Sequence, residues 1–220
     1  MPSESPVVVQ PYLAPGEIEK RSFEIIEAEV PEPRPYSGRE WEIVRRLIHT
    51  TADFEMLSLV RFHKNALSAG LSALRAGCHI ITDTEMARKG IPYRRLDPLG
   101  CPCTCFMNEP DVVARAKREN ITRALAAVDK AASIEGPTIF AIGNAPTALL
   151  RLLELIKERR IAPDLIVGMP VGFVNAAESK RLLASQTDIP YIAIEGRKGG
   201  SALAAATINA LAEIALRGDG

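Results

Sequence analysis

Thr138-Ile-Phe-Ala-Ile142 runs straight into Gly143-Asn-Ala-Pro-Thr147, and the same gesture returns twice before Ser201. Leu165-Ile-Val167 leads into Gly168-Met-Pro-Val-Gly-Phe173, and Tyr191-Ile-Ala-Ile194 leads into Glu195-Gly-Arg-Lys-Gly-Gly-Ser201. Each unit is an apolar run, a glycine turn and a helix start. Short apolar runs alternating with helical patterns read as parallel strands joined by crossover helices. Ligands of such sheets bind outside the carboxyl ends of the strands. The three glycine turns are therefore expected on one sheet edge, facing one cleft.

Upstream, His79-Ile-Ile-Thr82 reads as the first core strand and Cys103–Met107 as the second. A long helix is expected from about Asp111 to Ala132, and further helices near Pro146, Asn175 and Gly200. The N-terminal part reads as helices: Gly16–Glu29, a second starting after Ser37 with Trp41, Val44, Leu47 and Ile48 on one face, and Asn65–Ala76 closed by Gly77. Glu40 stands in capping-box position to Ser37. Residues 1–15 read as an irregular arm with one edge strand at Val7–Gln10. Pro31-Glu-Pro-Arg-Pro35 stiffens a linker over residues 31–37 inside the domain. The expectation is one α/β domain over 1–220: a flavodoxin-like doubly wound parallel sheet of about five strands, with additional N-terminal helices outside it.

Composition narrows the function classes. With 27 basic and 27 acidic residues among 220, no net field points to nucleic acid or a membrane surface. The start Met1-Pro-Ser-Glu-Ser-Pro6 lacks the basic and apolar stretches of a secretory signal, so a cytoplasmic protein without a membrane anchor is expected. Cys101-Pro-Cys-Thr-Cys105 is too crowded for a disulfide framework and lacks the separated pairs of a structural zinc site. On an extended strand these three side chains would share one face as small apolar groups, and no metal is expected.

Ile142-Gly-Asn-Ala-Pro-Thr-Ala-Leu149, Gly168-Met-Pro-Val-Gly-Phe-Val174 with Ala177-Glu-Ser-Lys180, and Gly196-Arg-Lys-Gly-Gly-Ser201 resemble the precorrin-8X methylmutase family. Arg21-Ser-Phe23, Ile48-His49 with Glu55, Asp83 with Glu85-Met86, and Thr122-Arg123 fit the same pattern, in order, from about Ile18 to Leu211. The chain departs from it in the proline linker and in Cys101 and Cys105. The resemblance implies a flavodoxin-like homodimer that moves a methyl group from C-11 to C-12 of a corrin precursor. The substrate is precorrin-8X or cobalt-precorrin-8, and the catalytic histidine corresponds to His49. The methyl moves within one molecule, so no cofactor or methyl donor is expected.

The macrocycle carries many carboxylates, and a neutral protein must gather positive potential locally to hold it. Helix starts attract anions, and glycine lets the backbone approach them closely. Gly143, Asn144, Gly168, Gly172, Gly199, Gly200 and Ser201 are the candidates of this kind. Arginine grips carboxylates with two parallel bonds, which points to Arg21, Arg123 and Arg197. Ser22, Asp83 and Thr104 complete the set.

Each residue also has a plainer reading. By pattern alone His49 is a helix-terminal cation, Ser22 a tolerated helix residue, and Arg123 a solvated position in the middle of a long helix. Asp83 and Glu85 either face the ligand or cap the next helix. His63 and His79 read as structural. Two other functions fit the same turns: a corrinoid carrier without catalysis, and an enzyme of sugar phosphates. No phosphate-loop motif supports the second.

Overall fold

The computed structural model describes Tyr12, residues 14–186 and residues 188–218. Chain contacts divide it into a unit of residues 1–34 and a unit of residues 35–220. The edge strand expected at Val7–Gln10 lies outside the described residues.

In the first unit, α1 (Pro15–Glu29) starts on a proline, and the Glu17 carboxylate accepts the Ala14 N–H at 3.0 Å. Ser22 turns its hydroxyl back onto the Ile18 carbonyl at 2.8 Å. Arg34 pairs with Glu27 and Glu32.

The second unit opens with α2 (Gly38–Thr51), α3 (Met56–Leu59), β1 (Val60–Phe62), α4 (Ala66–Arg75), β2 (His79–Thr82), α5 (Glu85–Gly90) and α6 (Tyr93–Leu96). Then come β3 (Cys103–Thr104), α7 (Pro110–Glu119), α8 (Arg123–Ala131), β4 (Thr138–Ile142) and α9 (Pro146–Lys157). The chain closes with β5 (Leu165–Gly168), α10 (Ala176–Ser185), β6 (Tyr191–Ile194) and α11 (Ser201–Arg217). No helix among the described residues is long and apolar enough to cross a membrane.

The sheet has six strands, in the order β1-β6-β5-β4-β2-β3. Five are parallel, and β1 runs antiparallel to β6 with Val60 opposite Ile194. The three decisive runs are β4, β5 and β6, buried along their whole lengths. That is what strands covered by helices on both faces require. Phe140, Ile142 and Ile166 pack with Leu149 and Leu152 of α9, Val128 of α8 and Leu183 of α10. On the other face α4 and α11 pack against β4 and β5, and α2 packs against α11. The alanines of α11 permit that approach: Ala204, Ala205 and Ala212 are buried.

Four expectations are corrected. The sheet has a sixth strand, because the edge of β6 accepts a three-residue segment too short and too charged to announce itself. Arg61 of β1 is held there by a bidentate bond to Glu195, at 3.1 and 2.9 Å. The long helix over 111–132 is two helices: Asn120 takes a left-handed conformation (φ 52°), and Thr122 caps α8 by accepting the Leu125 N–H. The strand expected over Cys103–Met107 pairs with β2 only at Cys103 and Thr104, before the chain turns toward Pro110. The Cys101 thiol donates to the Leu74 carbonyl at 3.2 Å, and Cys105 is buried as well. Finally, Ser37 occupies the N-cap of α2 without a side-chain capping bond, so the capping box with Glu40 does not form.

Candidate functional site

The carboxyl ends of β2, β4, β5 and β6 carry the predicted turns, and the turns are bonded to one another. Asp83, directly after β2, is buried at 4 % exposure. One of its oxygens accepts the Gly143 N–H at 2.8 Å, and the other accepts Asn144 and Ala145 at 2.8 and 2.7 Å. The anion cradle expected at the start of α9 is thus filled by the protein's own carboxylate. Burial pushes the Asp83 pKa up against the downward pull of those three bonds. Both oxygens serve the turn, and the cap of α5 is not Asp83 but Thr84, which accepts the Ala87 N–H at 3.1 Å.

Thr84 also reaches across the edge, its hydroxyl 2.8 Å from that of Ser201 at the start of α11. Gly143 permits this contact, because a Cβ there would fall 2.6 Å from the Ser201 Cα. Gly199 plays the same part between the other two turns: its Cβ would lie 2.3 Å from the Met169 carbonyl oxygen. Gly200 donates its N–H to Met169 at 2.9 Å, and Gly172 donates to the Arg197 carbonyl at 3.2 Å. Gly168 ends β5 with its Cα against Leu183. The glycines therefore act first as close-packing points between loops.

Side chains provide what the backbone does not. Arg197 is exposed and lies over Phe173, 5.3 Å from the ring centroid, a cation–π arrangement. Arg123 is the first residue of α8, not a mid-helix residue, and donates to the Asn108 side chain at 3.2 Å. Its neighbour Thr122 sits 3.0 Å from Thr147 of α9, which ties Arg123 to the turn carrying Asn144. Asn144 is exposed. Phe173 and Val174 are 84 % and 78 % exposed, and Met86 of α5 is 73 % exposed, so the edge presents apolar surface among its polar groups.

His49, in the last turn of α2, lines a groove of about 290 Å³ with Arg46, Thr50, Gly90, Arg95, Ala202, Ala205, Ala206 and Asn209. Arg46 and Arg95 both reach Glu213 of α11. Ala202 joins this groove to the loop edge, because the next residue back is Ser201. Just beyond α2, Asp53 and Glu55 both bond the Lys198 ammonium. The histidine is thereby placed beside the glycine turns, although it precedes all the parallel strands in sequence.

Thr104 is on the edge strand β3, with its hydroxyl 2.8 Å from His79 Nε2. Burial lowers the His79 pKa, consistent with a structural imidazole. Burial also pushes the Cys103 thiol up to about 12 and raises Cys105, which leaves both protonated at neutral pH. No three His, Cys, Asp or Glu side chains among the described residues are grouped to hold a metal ion. Arg21 pairs with Glu24 on the exposed side of α1, within the unit of residues 1–34.

Pattern reading missed Thr84, Asn108 and Lys180. Thr84 had a legible signal, a threonine just before a helix. Asn108 and Lys180 had none, since their partners are distant in sequence. A cavity of about 740 Å³ is lined by Leu150, Leu153, Ile156, Ile161, Leu182 and Ile189 among others. It contains none of the polar groups described above and lies where α9 and α10 end, opposite the carboxyl edge.

The sequence model of the precorrin-8X methylmutase family matches residues 17–214. The cobalt-precorrin-8 methylmutase of Salmonella typhimurium is 46 % identical over 202 residues, covering 90 % of this chain and 94 % of its own. That of Leptospira interrogans is 45 % identical over 201 residues, covering 88 % and 91 %. The crystal structure of a precorrin-8x methyl mutase from Thermus thermophilus superposes with a TM-score of 0.85 at 44 % identity, over 92 % of this chain and 97 % of that one. With both sequence and fold matched over nearly its whole length, the chain belongs to the precorrin-8X methylmutase family.

Proposed function

We propose that the protein is an isomerase of cobalamin biosynthesis that shifts a methyl group from C-11 to C-12 of precorrin-8X or its cobalt form. The observation that carries this reading is the groove that His49 lines with Ala202, the residue after Ser201, and with Arg46 and Arg95: one titratable ring among cations at the start of α11. Arg123 and Arg197 bind carboxylate arms of the macrocycle, with Asn144 and Ser201 as neutral partners. Phe173, Val174 and Met86 cover its apolar parts. His49 protonates the conjugated ring, which makes the receiving carbon more electrophilic. The methyl group then migrates with its bonding electrons, and the proton is lost from the product. Atoms balance within one molecule, so no methyl donor is consumed.

Histidine suits the step because its unperturbed pKa, about 6.5, leaves both forms accessible near neutrality. A positioned acid typically contributes about 10²–10⁴-fold. His49→Ala is expected to bind the ligand and to lose turnover by that factor, followed as the change in visible absorption when the precursor is converted. A folded variant that turns over like wild type excludes His49 as the acid. If the wild-type protein forms a stable bound spectrum without conversion, it is a carrier instead.

We further infer a flavodoxin-like scaffold, since the parallel strands counted among themselves follow the order 2-1-3-4-5. A homodimer is part of the same reading, supported by Ile18 and Ile25, which α1 leaves about half exposed. So are one functional domain over 1–220 and a cytoplasmic location. The names of the Salmonella and Leptospira relatives favour the cobalt-loaded substrate. Its kcat/KM is expected to exceed that of the metal-free form, and the opposite ranking overturns that preference.

A further inference from the structure

We propose that Lys180 is a positioning residue of the cleft, whose ammonium group holds loop 195–200, and with it Arg197, ready to receive a carboxylate. This assignment rests on the corrinoid reading of the site and adds a residue the reaction itself does not employ.

Lys180 lies on α10 and is only 3 % exposed. Its Nζ donates to the Lys198 carbonyl at 2.6 Å. Among the described residues it forms no ion pair. Arg61, Arg181, Glu195 and Gly196 line the small space beside it, and Glu195 is already committed to Arg61. A buried cation without a carboxylate is costly to the fold. An apolar side chain would fill the volume without that cost, so the retained ammonium points to the one partner it has.

That partner is in the loop that matters. The other side-chain tethers of residues 195–200 lie nearer solvent: the Lys198 side chain on Asp53 and Glu55, the Arg61–Glu195 pair, and Arg197 over Phe173. Exposed pairs hold a loop weakly because water competes with them. The Lys180 bond is charge-assisted and shielded, which makes it the stiff one among the side-chain tethers. Because a trans peptide sets C=O and N–H on opposite sides, fixing the Lys198 carbonyl also fixes the direction of the Gly199 amide. Two residues of this loop, Arg197 and Gly200, are bonded to the loop after β5. Holding one strand-end loop therefore orders both.

The test is a double-mutant cycle with Lys180→Met and Arg197→Ala, read as binding of hydrogenobyrinate, the metal-free product of the methyl shift, by visible absorption and as steady-state turnover. Lys180→Met is expected to raise Kd and KM about tenfold, with kcat within about twofold of wild type. Because Lys180 acts through the loop that carries Arg197, the double variant should bind within about twofold of Arg197→Ala alone. Penalties that multiply, or a fall in kcat at unchanged KM, overturn the proposal. If Lys180→Met does not fold, Lys180→Leu, which also lacks a donor, replaces it with the same expectations. Hydrogen exchange tests the tether without ligand: amides of 195–200 should exchange faster in the variant, while those of β4 do not. Unchanged loop exchange rejects the tether. A wild-type protein that neither binds nor converts a corrinoid, with loop exchange still accelerated by Lys180→Met, rejects the corrinoid reading instead.

Discussion

Asp83 shows how one side chain can use up a site that its surroundings seem to offer. A helix start with glycine and three free N–H groups attracts an anion, and here the anion is internal. Each loop amide depends on a particular carboxylate oxygen. Asp83→Asn replaces one oxygen with an NH₂ group, which leaves at least one loop N–H facing another donor. A buried donor without a partner costs about 1–3 kcal/mol. Loss of the buried charge offsets part of that. For a chain of this size a melting temperature lower by roughly 3–9 °C is expected, and an unchanged value in thermal unfolding rejects the clasp.

Lys180 makes a prediction of opposite kind. Burial lowers its pKa from 10.5 to about 8. The unfolded chain then binds more protons than the folded one between those values, so stability rises with pH across that window. Below about pH 8 the buried charge costs its full penalty. Relative to Lys180→Met, the wild type should gain roughly 2 kcal/mol between pH 7 and pH 10. Urea unfolding at the two pH values measures this, and a pH-independent difference contradicts it.

At the level of helices and strands, local capping overruled periodicity. Residues 111–132 carry a nearly continuous helical pattern, yet Asn120 adopts a left-handed turn and Thr122 starts a new helix. That break places Arg123 in the first turn of α8, next to the start of α9. Loop-to-helix contacts are equally specific. An alanine at Gly143 would drive its Cβ into the backbone of Ser201, whereas one at Gly168 would meet the end of the Leu183 side chain at 2.4 Å. Leu183 can change rotamer, but the start of α11 must move bodily. Overpacking of this kind costs typically 1–3 kcal/mol. Gly143→Ala is expected at or above the top of that range and to weaken ligand binding, with Gly168→Ala milder in both. Thermal unfolding and corrinoid titration of the two variants give the order, and the reverse order refutes the contact argument.

For the molecule entire, zero formal net charge means that attraction of a polyanionic ring is local. In the proposed reading it comes from Arg197 and Arg123 at the carboxyl edge and from Arg46 and Arg95 beside His49. Glu213 holds Arg46 and Arg95 and neutralises one of the two charges, while the neutral Asn108 holds Arg123 and neutralises none. Such attraction is screened by salt. If the protein is the dimer proposed above, light scattering should return twice the 23.9 kDa chain mass. A monomer at micromolar concentration would remove that part of the reading.

By itself the sequence determined the alternation of β4, β5 and β6 with their helices, the glycine turns at one edge, and the family. Apolar runs of strand length and glycine at strand ends are local signals, and they survive folding because burial on both faces enforces them. Tertiary structure alone decided what those turns do. Whether a loop N–H faces a substrate or Asp83 depends on a residue sixty positions away. Whether Val60–Phe62 is a strand depends on the free edge of β6. Nothing in Glu178-Ser-Lys180 shows that the Lys180 ammonium will meet the Lys198 carbonyl. Hydrogen bonds and burial are properties of pairs brought together by the fold, and pattern along the chain records only one member of each pair.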